Sequence, residues 1–222
     1  MEEAGAAALN IVLSPWVGVS VAERLKERFG TPYIVHPLPI GVTTTNAFVR
    51  KVGAALKIRT TAVTNREEER VYQYIDRIAD FLVDFDVQLH FATISDANYA
   101  VALNRFLVQD IGWLPSVAVV TDQVPEQHRA ALHDILNLGK GITPKIIYES
   151  DSWKIRDAVE KEKPAFILGS SLDKEAAGGI GAWRLSVSFP VTDRVVLDRG
   201  YAGYRGATTL IEDMLSAIVA PF

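Results

Sequence analysis

Apolar residues return along this chain in two rhythms. Short apolar runs, the pattern of buried strands, alternate with stretches where apolar positions recur every three or four residues, the pattern of amphipathic helices. Leu9–Leu13 is an apolar run stopped by Ser14-Pro15-Trp16 and suits a parallel strand. Val19–Phe29 carries Val21, Leu25 and Phe29 at helical spacing and closes on Gly30. Tyr33–His36 predicts a second strand, stopped by His36-Pro37-Leu38-Pro39-Ile40-Gly41. A helix follows, starting within Thr43–Asn46 and running through Leu56. Asn65–Phe85 predicts a long helix capped by Asn65, with Glu67–Glu69 in its first turn and Val71, Ile75, Ile78, Phe81 and Leu82 as its apolar stripe.

From Asp86 onward the alternation is regular. Strands are predicted at Val87–Ile94, Val117–Thr121, Lys145–Glu149, Ala165–Leu168 and Leu185–Ser188. Helices are predicted at Asp96–Ile111, Pro125–Leu138, Ser152–Glu162 and Gly203–Ile218. Ser95 or Asp96 caps the first of these, and Pro125 takes the first position of the second. Strands alternating with helices of this length imply right-handed βαβ units and an α/β, doubly wound parallel sheet, a Rossmann-like arrangement with expected strand order 3-2-1-4-5. Residues 9–57 read β-α-β-α, and two strands do not make an independent domain. The expected organisation is therefore a partial middle α/β domain over 1–64, a connecting helix over 65–85 and a C-terminal Rossmann-like domain over 86–222. The Ala-rich opening, Glu2–Ala8, is expected to continue a helix from an earlier part of the fold.

Composition narrows the chemistry. With 222 residues, 49% apolar content and a net charge of −4, a sizeable core can be buried and no basic stripe offers a nucleic-acid footprint. No apolar run reaches the length of a membrane span, and Met1–Asn10 lacks the pattern of a signal peptide, so a cytoplasmic protein is expected. There is no cysteine, so disulfides and cysteine-ligated zinc or iron–sulfur sites within the chain are excluded. His36, His90, His128 and His133 remain; the last two are five residues apart and fall on different helix faces, so all four are read as structural or surface residues.

In an open α/β sheet, ligands sit beyond the C-terminal strand ends. The polar residues expected there are Ser95, Asp96, Asn98, Asp122, Gly169, Ser170 and Ser171. Ser95, Asp96, Asp122, Ser170 and Ser171 are candidates for meeting a polar ligand at helix N-termini. The same residue types are also the usual helix caps, and the sequence leaves both readings open. The turn Thr93–Asn98 has no glycine, and no P-loop occurs, which argues against standard nucleotide binding. Gly178-Gly179-Ile180-Gly181 reads as a turn between helix and strand. No nucleophile elbow is present, and the carboxylate pairs Asp84/Asp86 and Asp193/Asp198 read as solvated turn residues. Trp16, Tyr201, Tyr204 and Arg205 are candidates for a protein interface, with core packing the alternative for the aromatics.

The tail holds the most specific motif. Ser188-Phe189-Pro190-Val191-Thr192-Asp193-Arg194, followed by Gly200-Tyr201-Ala202-Gly203-Tyr204-Arg205-Gly206, resembles the F-P-x-x-D-R turn and G-Y-x-G helix start of the nitrogenase component 1 subunits, most closely the β-type. Asn10–Trp16, Pro37–Thr45 with its P-I-G-x-x-x-T turn, Ile94–Gly112 and Lys163–Ser171 resemble further family segments in order. The resemblance implies the C-terminal half of a β-type subunit, of a vanadium or iron-only enzyme. Such a subunit is a scaffold for ATP-dependent N2 reduction with electrons from an iron protein. Its implied partners are an α-type subunit and the iron protein; its iron–sulfur clusters are expected only in the intact complex, with no cofactor in this chain. Arg184–Pro190 lacks the histidine that α-type subunits place near this turn, which favours the β-type. Alternatives are a nitrogenase-like cofactor-assembly scaffold, a tetrapyrrole-reductase subunit, a small-ligand-binding α/β module using the crevice, or a stand-alone structural protein. Exposed apolar surface on such a part also implies possible self-association.

Overall fold

A computed structural model describes residues 6–78, 89–139 and 141–219. Phe81, Leu82, the pair Asp84/Asp86, the boundary expected near Phe85, the strand start at Val87 and most of the opening Ala-rich segment lie outside the described residues.

The chain begins with a parallel pair, β1 (Asn10–Val12) and β2 (Tyr33–Val35), connected by α1 (Val19–Phe29). Helix α1 ends where the Gly30 N–H donates to the Lys26 carbonyl. Helices α2 (Val42–Leu56) and α3 (Thr61–Arg77) follow. Then comes a five-stranded sheet of β3 (His90–Ser95), β4 (Leu114–Val120), β5 (Lys145–Tyr148), β6 (Phe166–Gly169) and β7 (Trp183–Ser186). Its helices are α4 (Ala97–Phe106), α5 (Glu126–Leu136), α6 (Ser152–Glu162), α7 (Lys174–Ile180) and α8 (Gly203–Val219). A π-helical turn, Leu107–Ile111, extends α4, and a single 3-10 turn, Ser171–Asp173, precedes α7.

Every pairing in the large sheet is parallel, in the order β5-β4-β3-β6-β7. Counted from β3, that is the expected 3-2-1-4-5 order, with its switch point between β3 and β6. Burial explains the run pattern: β6 is buried along its whole length and β3 beyond His90, as strands covered on both faces must be. One face packs Phe106, Leu107, Trp113, Leu210 and Met214 against Phe91 and Phe166. The other divides between α5, through Leu132 and Leu136, and α6, through Ile155 and Val159.

Several details differ from the sequence reading, among them the start of β4 at Leu114, three residues before the predicted Val117. Helix α3 begins at Thr61, so Asn65 lies inside it and caps nothing. Pro125 precedes α5 as its cap residue instead of occupying its first turn. The glycines from Gly178 end a helix, α7, that periodicity missed because it is only seven residues long. Strand β7 starts at Trp183, two residues before the predicted Leu185.

Candidate functional site

The five crevice residues fall at the C-terminal strand ends, and each has a partner within the chain. Asp96 caps α4, its Oδ1 accepting from the Asn98 N–H at 2.9 Å and the Tyr99 N–H at 3.3 Å. Asp122, beyond β4, reaches the same helix and accepts from the Ala97 N–H at 2.8 Å. Burial pushes the Asp122 carboxyl up; the Ala97 bond opposes this, and the Asp96 charge adds to it. Ser95 is buried, its hydroxyl donating to the Asp96 carbonyl at 3.1 Å. Ser170 forms a capping box with Asp173: the Ser170 N–H and hydroxyl donate to Asp173 Oδ2 at 2.6 and 2.8 Å. Burial raises the Asp173 carboxyl despite those bonds. Ser171 donates to Asp193 Oδ1 at 3.0 Å and accepts from the Thr192 N–H at 2.7 Å.

Ser171 leads into the densest polar network described. Asp193 is an exposed turn residue, but its carboxylate is fully engaged. Its Oδ2 takes the Arg184 guanidinium and the Ser186 hydroxyl, the latter at 2.8 Å. Burial would raise this carboxyl, but the Arg184, Ser186 and Ser171 bonds outweigh it and hold the pKa at about 2. Arg194, the next residue, turns the other way. It donates to Asp213 Oδ2 at 2.9 Å, to the Ser186 carbonyl at 2.8 Å and to the Tyr201 hydroxyl. Arg199 pairs with Asp213 Oδ1, and the Tyr201 hydroxyl donates to Asp213 Oδ2 at 2.7 Å. Burial first, and then the Asp213 carboxylate, push the Tyr201 phenol up to about 12. The F-P-x-x-D-R turn is thus a two-sided clamp, with Asp193 tied to the β6–β7 end of the sheet and Arg194 tied to α8. Sequence reasoning missed Arg184, Ser186, Arg199 and Asp213. The available signal was Asp213 itself, an acid among the buried Leu210, Ile211, Met214 and Ala217 of α8.

The interface candidates separate. Trp16 and Tyr201 are 9% and 4% exposed and lie in the core, so neither offers surface to a partner. Tyr204 donates to Asn46 Oδ1 on α2 at 2.5 Å, and the Asn46 amide donates to Glu68 on α3 at 2.8 Å. Arg205 and Tyr204 line a groove of about 540 Å³ between α3 and α8. Two of the sequence motifs meet beside them. Ile40 of the P-I-G turn bridges Gly203 in parallel, and the Gly203 N–H donates to the Pro39 carbonyl at 2.7 Å. Gly41 is required for space as well as conformation: its φ is +87°, and a Cβ there would fall 2.1 Å from Asp110 Oδ2, the carboxylate that receives the Thr43 N–H.

An iron–sulfur cluster does not fit these residues. The sequence has no thiolate to offer, and among the described residues no three His, Asp or Glu side chains gather where a metal could sit. His36 is buried against Phe48 with Nδ1 on the Pro37 carbonyl at 2.8 Å, and burial lowers its pKa. His133 stacks on Tyr148. Among the described residues no helix is long and apolar enough to cross a membrane.

Similarity to known proteins is extensive. One of the subunits, designated B, of the light-independent protochlorophyllide reductase from Bradyrhizobium sp. (strain ORS 278) is 27% identical over 209 residues, covering 91% of this chain and 38% of that protein. The nitrogenase molybdenum-iron protein beta chain of Frankia alni is 25% identical, covering 89% and 37%. The nitrogenase vanadium-iron protein beta chain of Trichormus variabilis (strain ATCC 29413 / PCC 7937) is 27% identical, covering 95% and 46%. The chain therefore spans less than half the length of these relatives. A solved structure of nitrogenase Cp1 at pH 6.5 shares the fold, with a TM-score of 0.81 and 20% identity over 97% of this chain and 46% of its own. Residues 1–219 match the family of nitrogenase component 1 type oxidoreductases, and the chain belongs to that family.

Proposed function

We propose that this chain serves as the C-terminal portion of a β-type subunit in a nitrogenase-like reductase, as a scaffold that ligates no cluster itself. One observation carries the reading: the family motifs are used for internal fastening. Asp193 and Arg194 pin the tail turn, and Ile40 and Gly203 join the two sheets' surroundings. Side chains so engaged build a rigid frame and leave redox chemistry to residues elsewhere in the complex. In that complex the chain packs against an α-type subunit, helps frame the cluster between them, and the assembly accepts electrons from an iron protein. The reaction served is ATP-dependent N2 reduction; the protochlorophyllide reductase relatives make reduction of a tetrapyrrole the second reading.

Two measurements test this. Iron in the purified chain should be well below one atom per chain; a stoichiometric, tightly held cluster overturns the proposal. A hybrid in which this chain replaces the matching segment of the Frankia alni beta chain should be recovered with that organism's α-type chain and with bound iron. Recovery of the hybrid only as a free chain argues against the scaffold role.

A further inference from the structure

Helix α4 does not end as a regular α-helix. Leu107–Ile111 widens into a π-helical turn, and the Leu107 carbonyl receives both the Gly112 and the Trp113 N–H. Such turns are rare, hold one residue more than regular helix and recur at functional positions. We infer that this turn is a two-position coupling element: in the π register it fastens α2 to the large sheet, and in the α register it releases it. The fastening is Asp110. Both its carboxylate oxygens lie 3.3 Å from the Thr43 nitrogen, whose N–H they accept at the start of α2, where Gly41 offers no side-chain cap. A return to regular geometry displaces the end of the turn by one residue, roughly 100° around the helix axis, and carries Asp110 off α2. Burial raises the Asp110 carboxyl; bonds from Thr43 and Val42 oppose this and the Glu68 charge adds to it, so the fastening holds a charge that burial disfavours.

A second irregularity lets the turn change without breaking the sheet. In the β3–β4 ladder Phe91 pairs with Pro115 and Ala92 with Val117, so Ser116 is an extra residue in β4. Trp113 lies between the two insertions, 1% exposed, with its ring centroid 6.4 Å from that of Phe91 and 5.3 Å from that of Phe166. The connection over 112–116 can take up the residue that the turn gives back, while residues 117–120 keep their pairing with β3. On its other side α2 is tied to α8 and α3 through Asn46, which accepts from Tyr204 and donates to Glu68. Coupling of this kind is reciprocal: what loosens the turn must loosen α2, and what loosens α2 must loosen the turn.

Hydrogen exchange of the full chain, read by mass spectrometry, tests both directions. Gly112 has a φ of +85° and open space around an added Cβ, so Gly112→Ala strains the end of the turn and touches nothing else. Exchange should rise about ten-fold, the scale of the left-handed penalty, at residues 107–113 and also at 43–46, which the substitution does not reach. Gly112→Asn, better tolerated at positive φ, should give the same pattern more weakly and serves where the alanine variant does not fold. Tyr204→Phe removes the bond to Asn46 from the α2 side and should raise exchange at 107–113 as well as at 43–46. Helices α5 and α6 should keep their protection in every variant. A rise confined to the substituted side overturns the inference, because the two positions then move independently. An equal rise in α5 and α6 also overturns it, since the variants then open the whole chain instead of one element.

Discussion

Asp193 and Arg194 are adjacent in sequence but grip different elements, and this fixes what each substitution should do. The Asp193 carboxylate is stabilised in the folded state, with its pKa held at about 2 by Arg184, Ser186 and Ser171 against the effect of burial. A depressed carboxylate contributes stability that is fully present above its unfolded pKa of about 4 and is lost as pH falls toward 2. Asp193→Asn should therefore cost about 1 kcal/mol at neutral pH, less than the full shift implies because water screens this exposed carboxylate. It should also flatten the acid limb of the stability profile between about pH 4 and 2, measured by urea unfolding at each pH. Asp213 serves Arg194, Arg199 and Tyr201 at once. Asp213→Ala leaves partly buried guanidinium and phenol groups without their acceptor, and should cost about 3 kcal/mol or more in the same measurement. The motif containing Asp193 and Arg194 was visible in the sequence, but its partners were not. Arg184 lies nine residues before Asp193, and Asp213 nineteen after Arg194, spacings set by a strand, a turn and a helix together. A carboxylate in a turn looks solvated until the strand beside it is placed.

Among the elements, α4 best shows why the crevice residues were legible in position and ambiguous in role. Its first N–H groups have no intrahelical acceptors, and two carboxylates from different loops satisfy them. Asp96→Ala and Asp122→Ala should each cost about 1 kcal/mol, the usual value of a lost cap. The double substitution should cost more than the sum, because each single substitution also relieves the repulsion between the two carboxylates, seen as the Asp96 contribution to the upward shift of Asp122, and the double relieves it only once. A double-mutant cycle by thermal or urea unfolding checks this, and strict additivity would show that the two charges do not interact. Periodicity read α1 and α6 with the limits the structure gives them, since each has a clear apolar stripe and a distinct stop. It failed at α7 because Gly178 and Gly179 are poor helix formers, and that helix follows directly on the 3-10 turn that the Ser170–Asp173 capping box holds. It misplaced the start of α3 because Asn65 looks like a cap, whereas packing against α2 and α8 lets the helix begin at Thr61. Local propensity sets the prior, and tertiary contact decides the boundary.

At the scale of the whole chain, the question is whether the β1–β2 part and the five-stranded part unfold separately, as the sequence division at residues 64 and 86 implies. Their joint surface argues for one cooperative unit. Ile40, just before α2, is fully buried in the same cluster as Phe91, Trp113 and Leu210. The Pro39 carbonyl receives the Gly203 N–H, and Tyr204 bonds Asn46, so α8 is fastened to both parts. The closest approach to backbone in this joint is at Gly206, where an added Cβ would lie 2.2 Å from the backbone carbon of Tyr201. Backbone cannot yield as a flexible side chain can, so Gly206→Ala must displace the start of α8 from the turn that precedes it. The expected cost is about 3 kcal/mol, at the upper end for overpacking. For a chain of this size that corresponds to a Tm lower by roughly 6–12 °C. Because α8 is shared, the loss should appear as one shifted transition, coincident by far-UV circular dichroism and by tryptophan fluorescence, which samples Trp16 near β1 as well as Trp113 and Trp183 at the large sheet. Two transitions, with only one moved by Gly206→Ala, would show that the parts fold independently and that the Pro39–Gly203 and Asn46–Tyr204 contacts form without coupling them.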